Sequence, residues 1–232
     1  MATKAALRTL LPAASIARPC ARTSTRPFIT FPGTEVQSLS ATRILPYKST
    51  DLYKIISDVD SYSFFLPYCQ QSKVTKWSAP DNDGNRWPSE ADLKVGWGGY
   101  EETYTSKLLC IPGSIVEALG GEAKTTIPRA DVQHHGATYD APASSSAIFT
   151  SLLTRWEVKP FHYKPQSGLS QTSIAVQPPI FQTEVNLNIE FQFANPMYAA
   201  LSKAVAPKVA GIMIEAFEAR AKQLLDSSGA DV

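Results

Sequence analysis

The chain has 232 residues, 44% hydrophobic and 19% charged, which is ordinary for a globular protein of one domain with extensions. Its 22 basic side chains nearly balance its 21 acidic ones, so the composition lacks the basic excess of a nucleic-acid-binding protein. The longest uninterrupted apolar runs have about six residues, too few for a membrane-spanning helix. Any membrane association would therefore be peripheral.

The first 34 residues differ from the rest in charge. They contain five basic residues, many Ala, Ser and Thr, and no acidic residue. Leu7, Leu10, Leu11 and Ala14 can form one apolar face, as in a mitochondrial transit peptide, whereas a secretory signal needs an unbroken apolar segment. We predict a disordered transit peptide over residues 1–34, with an N-terminal tail without a targeting role as the alternative. The remaining body has 17 basic and 21 acidic side chains.

The three cysteines, Cys20, Cys69 and Cys110, show no CxxC spacing. Cys20 would leave with the transit peptide. A disulfide framework or a zinc site needs paired or grouped cysteines, so we expect the other two to be reduced thiols. We predict no cofactor and no metal.

The segment after residue 34 predicts one strand followed by two short helices. Residues 34–45 are rich in β-branched and hydroxyl side chains and are followed by Pro46. Apolar residues recur at helical spacing over residues 51–59, and a second helical turn is predicted between residue 60 and Pro67. Three tyrosines near these helices suit either the edge of a core or the mouth of a pocket: Tyr47, Tyr62 and Tyr68.

The middle of the chain alternates apolar and polar residues with the period of two that is typical of strands with one buried face. This alternation is clearest from Val185 to Phe193. Turns rich in Pro, Gly and Asn separate neighbouring segments, which predicts an antiparallel meander. The predicted strands are 72–78, 90–97, 100–111, 114–119, 147–160 and 185–193.

Two polar stretches interrupt the alternation, at about 120–146 and about 163–179. The first is rich in Gly, Ala, Ser and Thr, contains two prolines, and shows no sustained apolar period. We predict that both are surface insertions and that the first is largely irregular.

The longest segment of helical period is residues 195–225. Asn195 is a good N-cap, and Pro196 suits the first helical position. Counted at 100° per residue from Tyr198, Ile214 falls on the charged side of the helix. The apolar residues that share one face, within about 60° of one line, are Leu201, Val205, Val209, Ile212, Met213 and Ala216.

Pro207 lies inside this helical segment, where a proline kinks a helix or splits it in two. One interpretation is a bend that lets the helix follow a curved sheet, with Ile214 as one exposed apolar residue. The other is a hinge beside a cavity, with Ile214 in contact with a membrane or a partner. The pattern leaves both interpretations open.

The order of these elements predicts an α+β fold. A sheet of about six to seven antiparallel strands has one apolar face, and a single long helix is available to cover it. A sheet that curves around one helix commonly leaves a space between the two. The sequence therefore predicts a curved sheet that grips a long C-terminal helix.

No catalytic motif is present, because the chain lacks the GxSxG, P-loop, HExxH and dinucleotide-binding signatures. His134 and His135 are adjacent in an insertion and lack the i, i+4 spacing that places two metal ligands on one side of a helix. The Gly96 to Gly99 stretch lies between strands and predicts a hairpin turn. The sequence thus offers no catalytic or metal site.

Three of the charged residues in predicted strands could serve either a site or the fold: Arg43, Glu102 and Arg155. Glu102 shares a strand face with Tyr104, so its carboxylate either binds a polar ligand in a cavity or reaches water at the sheet edge. For Arg43 and Arg155, a salt bridge across the sheet is the expectation.

Three separated blocks of sequence resemble the mitochondrial coenzyme Q-binding COQ10 family, which belongs to the START-like, or polyketide cyclase-like, superfamily. The first block is Leu45-Pro46-Tyr47. The second joins Asp58–Tyr62 to Phe65-Leu66-Pro67-Tyr68-Cys69. The third joins Asn195-Pro196-Met197-Tyr198-Ala199-Ala200-Leu201 to Ala204–Ala210. The resemblance covers about residues 36–119 and 147–225, and the two insertions depart from it.

This resemblance implies a START-like helix-grip fold with a hydrophobic tunnel that binds ubiquinone. It implies a lipid chaperone for respiration and coenzyme Q biosynthesis, peripheral on the matrix side of the mitochondrial inner membrane, and no enzymatic reaction. A polyprenyl quinone suits an apolar tunnel because each buried methylene contributes about 0.8 kcal/mol. The candidate ligand contacts are Val95, Trp97, Tyr104, Leu108, Trp156, Leu187, Ile189, Phe191, Leu201, Val205, Val209, Ile212 and Met213.

The expected organisation is one START-like lipid-binding domain over residues 35–226, with a tail at 227–232. An alternative function is a cyclase- or hydratase-type enzyme that uses the same cavity, with Glu102 or a tyrosine as acid or base. Another is an interaction module like the ribosome-association toxin of the same superfamily. That module would have a basic surface, which the acidic balance of the body disfavours.

Overall fold

The computed structural model describes residues 35–97, 99–161, 181–202 and 205–227. The predicted transit peptide and the predicted insertion at 163–179 lie outside these residues, as does the tail beyond Ser227. The described residues therefore belong to the predicted START-like domain at 35–226, without its second insertion.

Within the described residues, a single sheet of seven antiparallel strands forms the body of the protein. Its spatial order is β1-β7-β6-β5-β4-β3-β2, so the first and last strands of the chain are neighbours. The predicted meander and strand number are confirmed. The strands are β1 (Gln37–Leu45), β2 (Cys69–Trp77), β3 (Pro88–Trp97), β4 (Tyr100–Ile111), β5 (Ile115–Gly121), β6 (Phe149–Pro160) and β7 (Thr183–Phe193).

Helices cover one face of this sheet. As predicted, two short helices follow β1: α1 (Ser49–Ser57) and a 3₁₀ helix (Val59–Phe64). The inner core lies between these helices, the sheet and the C-terminal helix. Fully buried side chains such as Leu52, Ile56 and Leu187 contribute about 1.5–3 kcal/mol each through burial.

The predicted C-terminal helix is divided in two, α3 (Pro196–Ser202) and α4 (Ala206–Leu225). Asn195 caps α3 as expected, because its Oδ1 accepts a hydrogen bond from the Met197 amide at 2.8 Å. Pro207 lies in the first turn of α4, where its missing N–H leaves no intrahelical bond unmade. Of the two outcomes that the sequence left open for this proline, a kink or a split, the structure shows the split.

The division of the helix changes which face of α4 is buried. Ile214 is fully buried together with Phe217, so its predicted place on the charged side is wrong. Both interpretations that the sequence left open, one exposed apolar residue and a contact with a membrane or a partner, are therefore wrong for Ile214. Ile212 is only partly buried, roughly 160° from the buried Ala210 at 100° per residue. The prediction carried one helical phase from Tyr198 through Pro207, whereas α4 begins a new helix after Ser202.

The insertion at 120–146 covers part of the outer face of the sheet. It forms a 3₁₀ helix (Arg129–His135) and α2 (Ala137–Asp140) between irregular stretches, so the predicted irregular segment contains two short helices. A second, smaller core joins the insertion to β4 and β5. Its buried members are Leu109, Leu119, Ile127 and Val132. Ile127 and Val132 form no periodic pattern in the sequence. They pack against Leu109 and Leu119, which the strand alternation places on the outer face of the sheet.

The two strand arginines form ion pairs as expected, although only Arg155 pairs across the sheet. Its Nε donates to Oε2 of the buried Glu117 on β5 at 2.8 Å. Arg43 on β1 instead reaches α4, with its Nε 3.4 Å from Glu218 and its Nη2 3.5 Å from Glu215. Exposed pairs of this kind contribute little stability but help align the helix along β1.

The orientation of α4 predicts that Ile214 and Ile212 contribute differently to stability, because Ile214 is fully buried and Ile212 is only partly buried. We expect Ile214→Ala to lower the free energy of unfolding by about 2–5 kcal/mol, because it opens a cavity in the core. Ile212→Ala, the matched control on the same helix, should cost less than about 1 kcal/mol. Chemical denaturation measures both, and a larger cost at Ile212 would contradict the observed phase.

Candidate functional site

A cavity of about 210 Å³ lies between the sheet and the N-terminal half of α4. Three parts of the chain enclose it: the inner faces of the strands, the 3₁₀ helix with the turn that follows it, and the first two turns of α4. No charged side chain is among the described residues that line it. The cavity is thus an apolar space of the kind that the sequence predicted between sheet and helix.

Most of the predicted ligand-contact residues line this cavity. The sheet contributes Val95, Tyr104, Leu108, Trp156, Ile189 and Phe191, and α4 with its N-cap contributes Val205, Val209 and Met213. Whether these side chains touch a ligand remains a prediction.

Four predicted contact residues are not placed in the lining. Leu187 is buried in the packed core next to Trp156, whose ring lies 5.2 Å from that of Phe217 and closes the cavity there. Ile212 faces away, for the reason of helix phase given above. The side chains of Trp97 and Leu201 lie outside the described part of the structure.

Sequence reasoning missed several lining residues. Phe193 continues the alternation of β7 and could have been included. Phe149 could not have been predicted to line the cavity. It is three residues from Leu152, which in a regular strand places the two on opposite faces, but a register shift between Phe149 and Ser151 brings them to the same face.

The turn between the 3₁₀ helix and β2 contributes Leu66, Pro67, Tyr68 and Cys69 to the lining. Tyr68 has a φ of 67°, the left-handed region that is rare for a tyrosine. Tyr62 also lines the cavity, so two of the three tyrosines near the short helices lie at the predicted pocket. Tyr47 instead donates a hydrogen bond to Asp226 at 2.7 Å.

Three hydroxyl groups on the strands interrupt the apolar lining: those of Tyr104, Ser106 and Thr154. No hydrogen bond joins these three hydroxyls to any other residue that the structure describes. Two further tyrosines line the cavity: Tyr62 donates to the Ile56 carbonyl, and Tyr68 is 37% exposed at the turn. The lining therefore offers a small number of free polar groups within an apolar space.

Glu102 has a structural position that neither sequence-based alternative described. Its Oε1 accepts hydrogen bonds from Ser146 Oγ at 2.8 Å and from the Ala147 and Ile148 amides at 2.6 and 3.3 Å. The carboxylate thereby holds the segment that leads into β6. Its Oε2 is buried without a partner in the described structure, but Glu102 does not line the cavity.

Ser89, His135 and Cys110 form a buried cluster, in which Ser89 and His135 resemble a catalytic nucleophile and its base. The Cys110 amide donates to His135 Nε2 at 2.9 Å, so the proton of the neutral ring is on Nδ1, which lies 2.8 Å from Ser89 Oγ. An imidazole that already donates to the serine cannot take the serine proton as a general base. The cluster joins the insertion to the sheet, outside the cavity.

The described part of the chain shows two further features that bear on function. Cys69 and Cys110 are free thiols, in agreement with the absence of a CxxC motif. Within the same residues, no group of three His, Cys, Asp or Glu side chains could hold a metal ion, and no helix is long and apolar enough to cross a bilayer.

The fold and cavity define a protein of the START-like, polyketide cyclase-like superfamily. Residues 45–135 match the family described as polyketide cyclase / dehydrase and lipid transport. Among solved structures, the chain is similar to the Zhui aromatase/cyclase from a Streptomyces species. The TM-score is 0.55 at 11% identity, and the similarity covers 84% of this chain and 99% of that one.

Among curated proteins, the mitochondrial coenzyme Q-binding protein coq10 of Schizosaccharomyces pombe is 30% identical over 182 residues, 78% of this chain and 85% of the relative. The ribosome association toxin RatA of Pseudomonas aeruginosa is 23% identical over 181 residues, 78% of this chain and 92% of the toxin. The chain belongs to the COQ10 family of coenzyme Q-binding proteins.

The buried histidine makes the stability of the fold depend on pH. Burial, with a smaller contribution from the neighbouring His134, lowers the pKa of His135 from its usual value near 6.5 to about 4. Between about pH 6.5 and pH 4, the unfolded chain therefore binds a proton at His135 that the folded protein does not bind. Stability is fully present above about pH 6.5 and is lost as the pH falls towards 4.

We expect His135 to contribute a loss of about 3 kcal/mol in the free energy of unfolding between pH 7 and pH 4. In His135→Gln, which retains a donor and an acceptor, this contribution should disappear and the pH slope should be shallower. Urea denaturation at several pH values measures both slopes, and parallel slopes would show that His135 does not titrate in this way.

Proposed function

We propose that the protein binds ubiquinone in the cavity between the sheet and α4, as a lipid chaperone that performs no chemical step. In this role it supports mitochondrial respiration and coenzyme Q biosynthesis. The observation that carries the proposal is an uncharged, largely apolar cavity at this position in a member of the COQ10 family. Apolar pockets with few polar groups are typical of sites that bind hydrophobic small molecules.

The size of the cavity limits how much of the ligand it encloses. A dry apolar cavity of about 150 Å³ holds a benzene molecule. About 210 Å³ is therefore room for one substituted ring or a short piece of an isoprenoid tail, but not for both. We propose that one end of the quinone enters the cavity while the rest stays in the membrane or along the mouth of the site.

This arrangement requires access to a membrane, because a polyprenyl quinone is dissolved in the bilayer. We propose a peripheral position on the matrix side of the mitochondrial inner membrane, reached after removal of the transit peptide at residues 1–34. The names of the COQ10 relatives support the mitochondrial compartment.

A cyclase or hydratase that uses the same cavity is the second candidate function, and the aromatase/cyclase fold motivates it. Such an enzyme needs an acid or base that faces the substrate. The lining offers tyrosines, and burial raises the pKa of both Tyr62 and Tyr104, so neither loses its proton near neutral pH. The carrier function therefore agrees better with the groups present.

The proposed ligand can be identified directly. Lipid extraction of the purified protein, followed by mass spectrometry, should recover ubiquinone, and protein without lipid should take up added ubiquinone from vesicles. A protein that carries no quinone and takes none up would contradict the proposed function.

A lysine placed in the lining should prevent binding. We expect Val209→Lys to reduce ubiquinone uptake at least about tenfold, because a charged group in an apolar site is costly to desolvate. Ala219→Lys, which adds the same charge on the exposed face of α4, is the matched control and should bind normally. If Val209→Lys folds and retains full uptake, α4 does not line the site.

A further inference from the structure

The free hydroxyls of the cavity are unevenly distributed. Tyr104 and Ser106 are two residues apart on β4, so both side chains lie on the inner face of the same strand. Thr154 is on β6, two strands away, with its Cα about 12 Å from that of Ser106 by strand spacing and register. The β4 side of the cavity therefore carries a pair of hydroxyls.

A pair of hydroxyls in this environment indicates a polar group in the ligand. Ser106 is 3% exposed, and neither hydroxyl has a hydrogen-bond partner among the described residues. Neither oxygen is among the buried polar atoms that are closed off from solvent, so both face the open space of the cavity and are desolvated only when a ligand fills it. Buried polar groups in proteins almost always have partners, because desolvation without a new bond is unfavourable. An isoprenoid tail beside β4 would leave both hydroxyls without one, whereas a carbonyl oxygen would accept a bond from each.

The chemistry of the two hydroxyls suits a carbonyl acceptor. Burial raises the pKa of the Tyr104 phenol, and the nearby Cys69 and Glu102 raise it further, so the phenol remains a protonated donor. Serine is also a neutral donor. Leu93, opposite Tyr104 on β3, also lines the cavity and supplies an apolar wall for the ring.

We propose that Tyr104 and Ser106 form the head-group end of the site, donating hydrogen bonds to the oxygens of the quinone ring. The head group then lies inside the cavity against β4, and the isoprenoid tail leads outward. Thr154 takes no part in head-group recognition. This inference rests on the proposed function and adds to it the orientation of the ligand and the residues that set it.

The experiment compares two ligands that share apolar character but differ in oxygen. The first is ubiquinone-1, which has the complete head group and one isoprene unit, and the second is an isoprenoid hydrocarbon of two units without oxygen. Binding to the full-length protein is measured by calorimetry. Tyr104→Phe and Ser106→Ala should each weaken ubiquinone-1 binding about three- to tenfold and leave hydrocarbon binding unchanged.

Tyr139→Phe is the matched control, because it removes a phenol on the outer face of the sheet, away from the cavity. It should bind both ligands as the unchanged protein does. Infrared spectra of ubiquinone-1 labelled with ¹³C at its carbonyl carbons add a direct readout. The bound carbonyl band should lie at lower frequency in the unchanged protein than in Tyr104→Phe.

The outcomes separate the inference from the proposed function. If the unchanged protein binds ubiquinone-1 but the two β4 variants bind it equally well, with the same carbonyl frequency, the head-group assignment is overturned and the carrier function stands. Equal losses for quinone and hydrocarbon would also overturn it, because they would report damage to the cavity. If the unchanged protein binds no ubiquinone-1, the proposed function is wrong and the head-group site with it.

Discussion

The contact between α4 and the sheet determines where the interior is a packed core and where it contains a cavity. Towards the middle of α4, Ile214 and Phe217 are completely buried, and the Phe217 ring lies against Trp156 of β6. Towards the start of the helix, Val205, Val209 and Met213 face open space instead. The same helix therefore closes the core with one part of its length and roofs the cavity with another.

The chemistry of the cavity follows from this division. Its walls come from strand faces and helix faces that would otherwise be core, so they are apolar, and the charged groups of the protein are used elsewhere. Glu102 holds the entry to β6, Arg155 pairs with Glu117, and His135 joins the insertion to the sheet. What remains for a ligand is hydrophobic contact and a few hydroxyls, which suits binding and release of a lipid.

The extent to which the sequence predicted this structure varies with the range of the interactions. Strand alternation and turn residues are local signals, and they predicted the strands, the short helices and the cap at Asn195. The errors fall where local signals stop. One helical phase does not continue past Pro207, so Ile212 and Ile214 were exchanged in their roles, and the register shift at Phe149 leaves no mark in the pattern of residues. The packing of the insertion was not predicted, because Ile127 and Val132 pack against Leu109 and Leu119, which are distant in sequence.

The sequence by itself determined the α+β class, the order of the elements along the chain and a kink or split at Pro207, and it carried the blocks that resemble the COQ10 family. Periodicity and capping depend on residues a few positions apart, so they can be recognised in a single sequence. Only the tertiary structure decided which faces of α4 meet the core and the cavity, and which hydroxyls are left without partners inside. Those properties depend on the rotation of a helix and on contacts between strands far apart in the chain, and no local pattern records them.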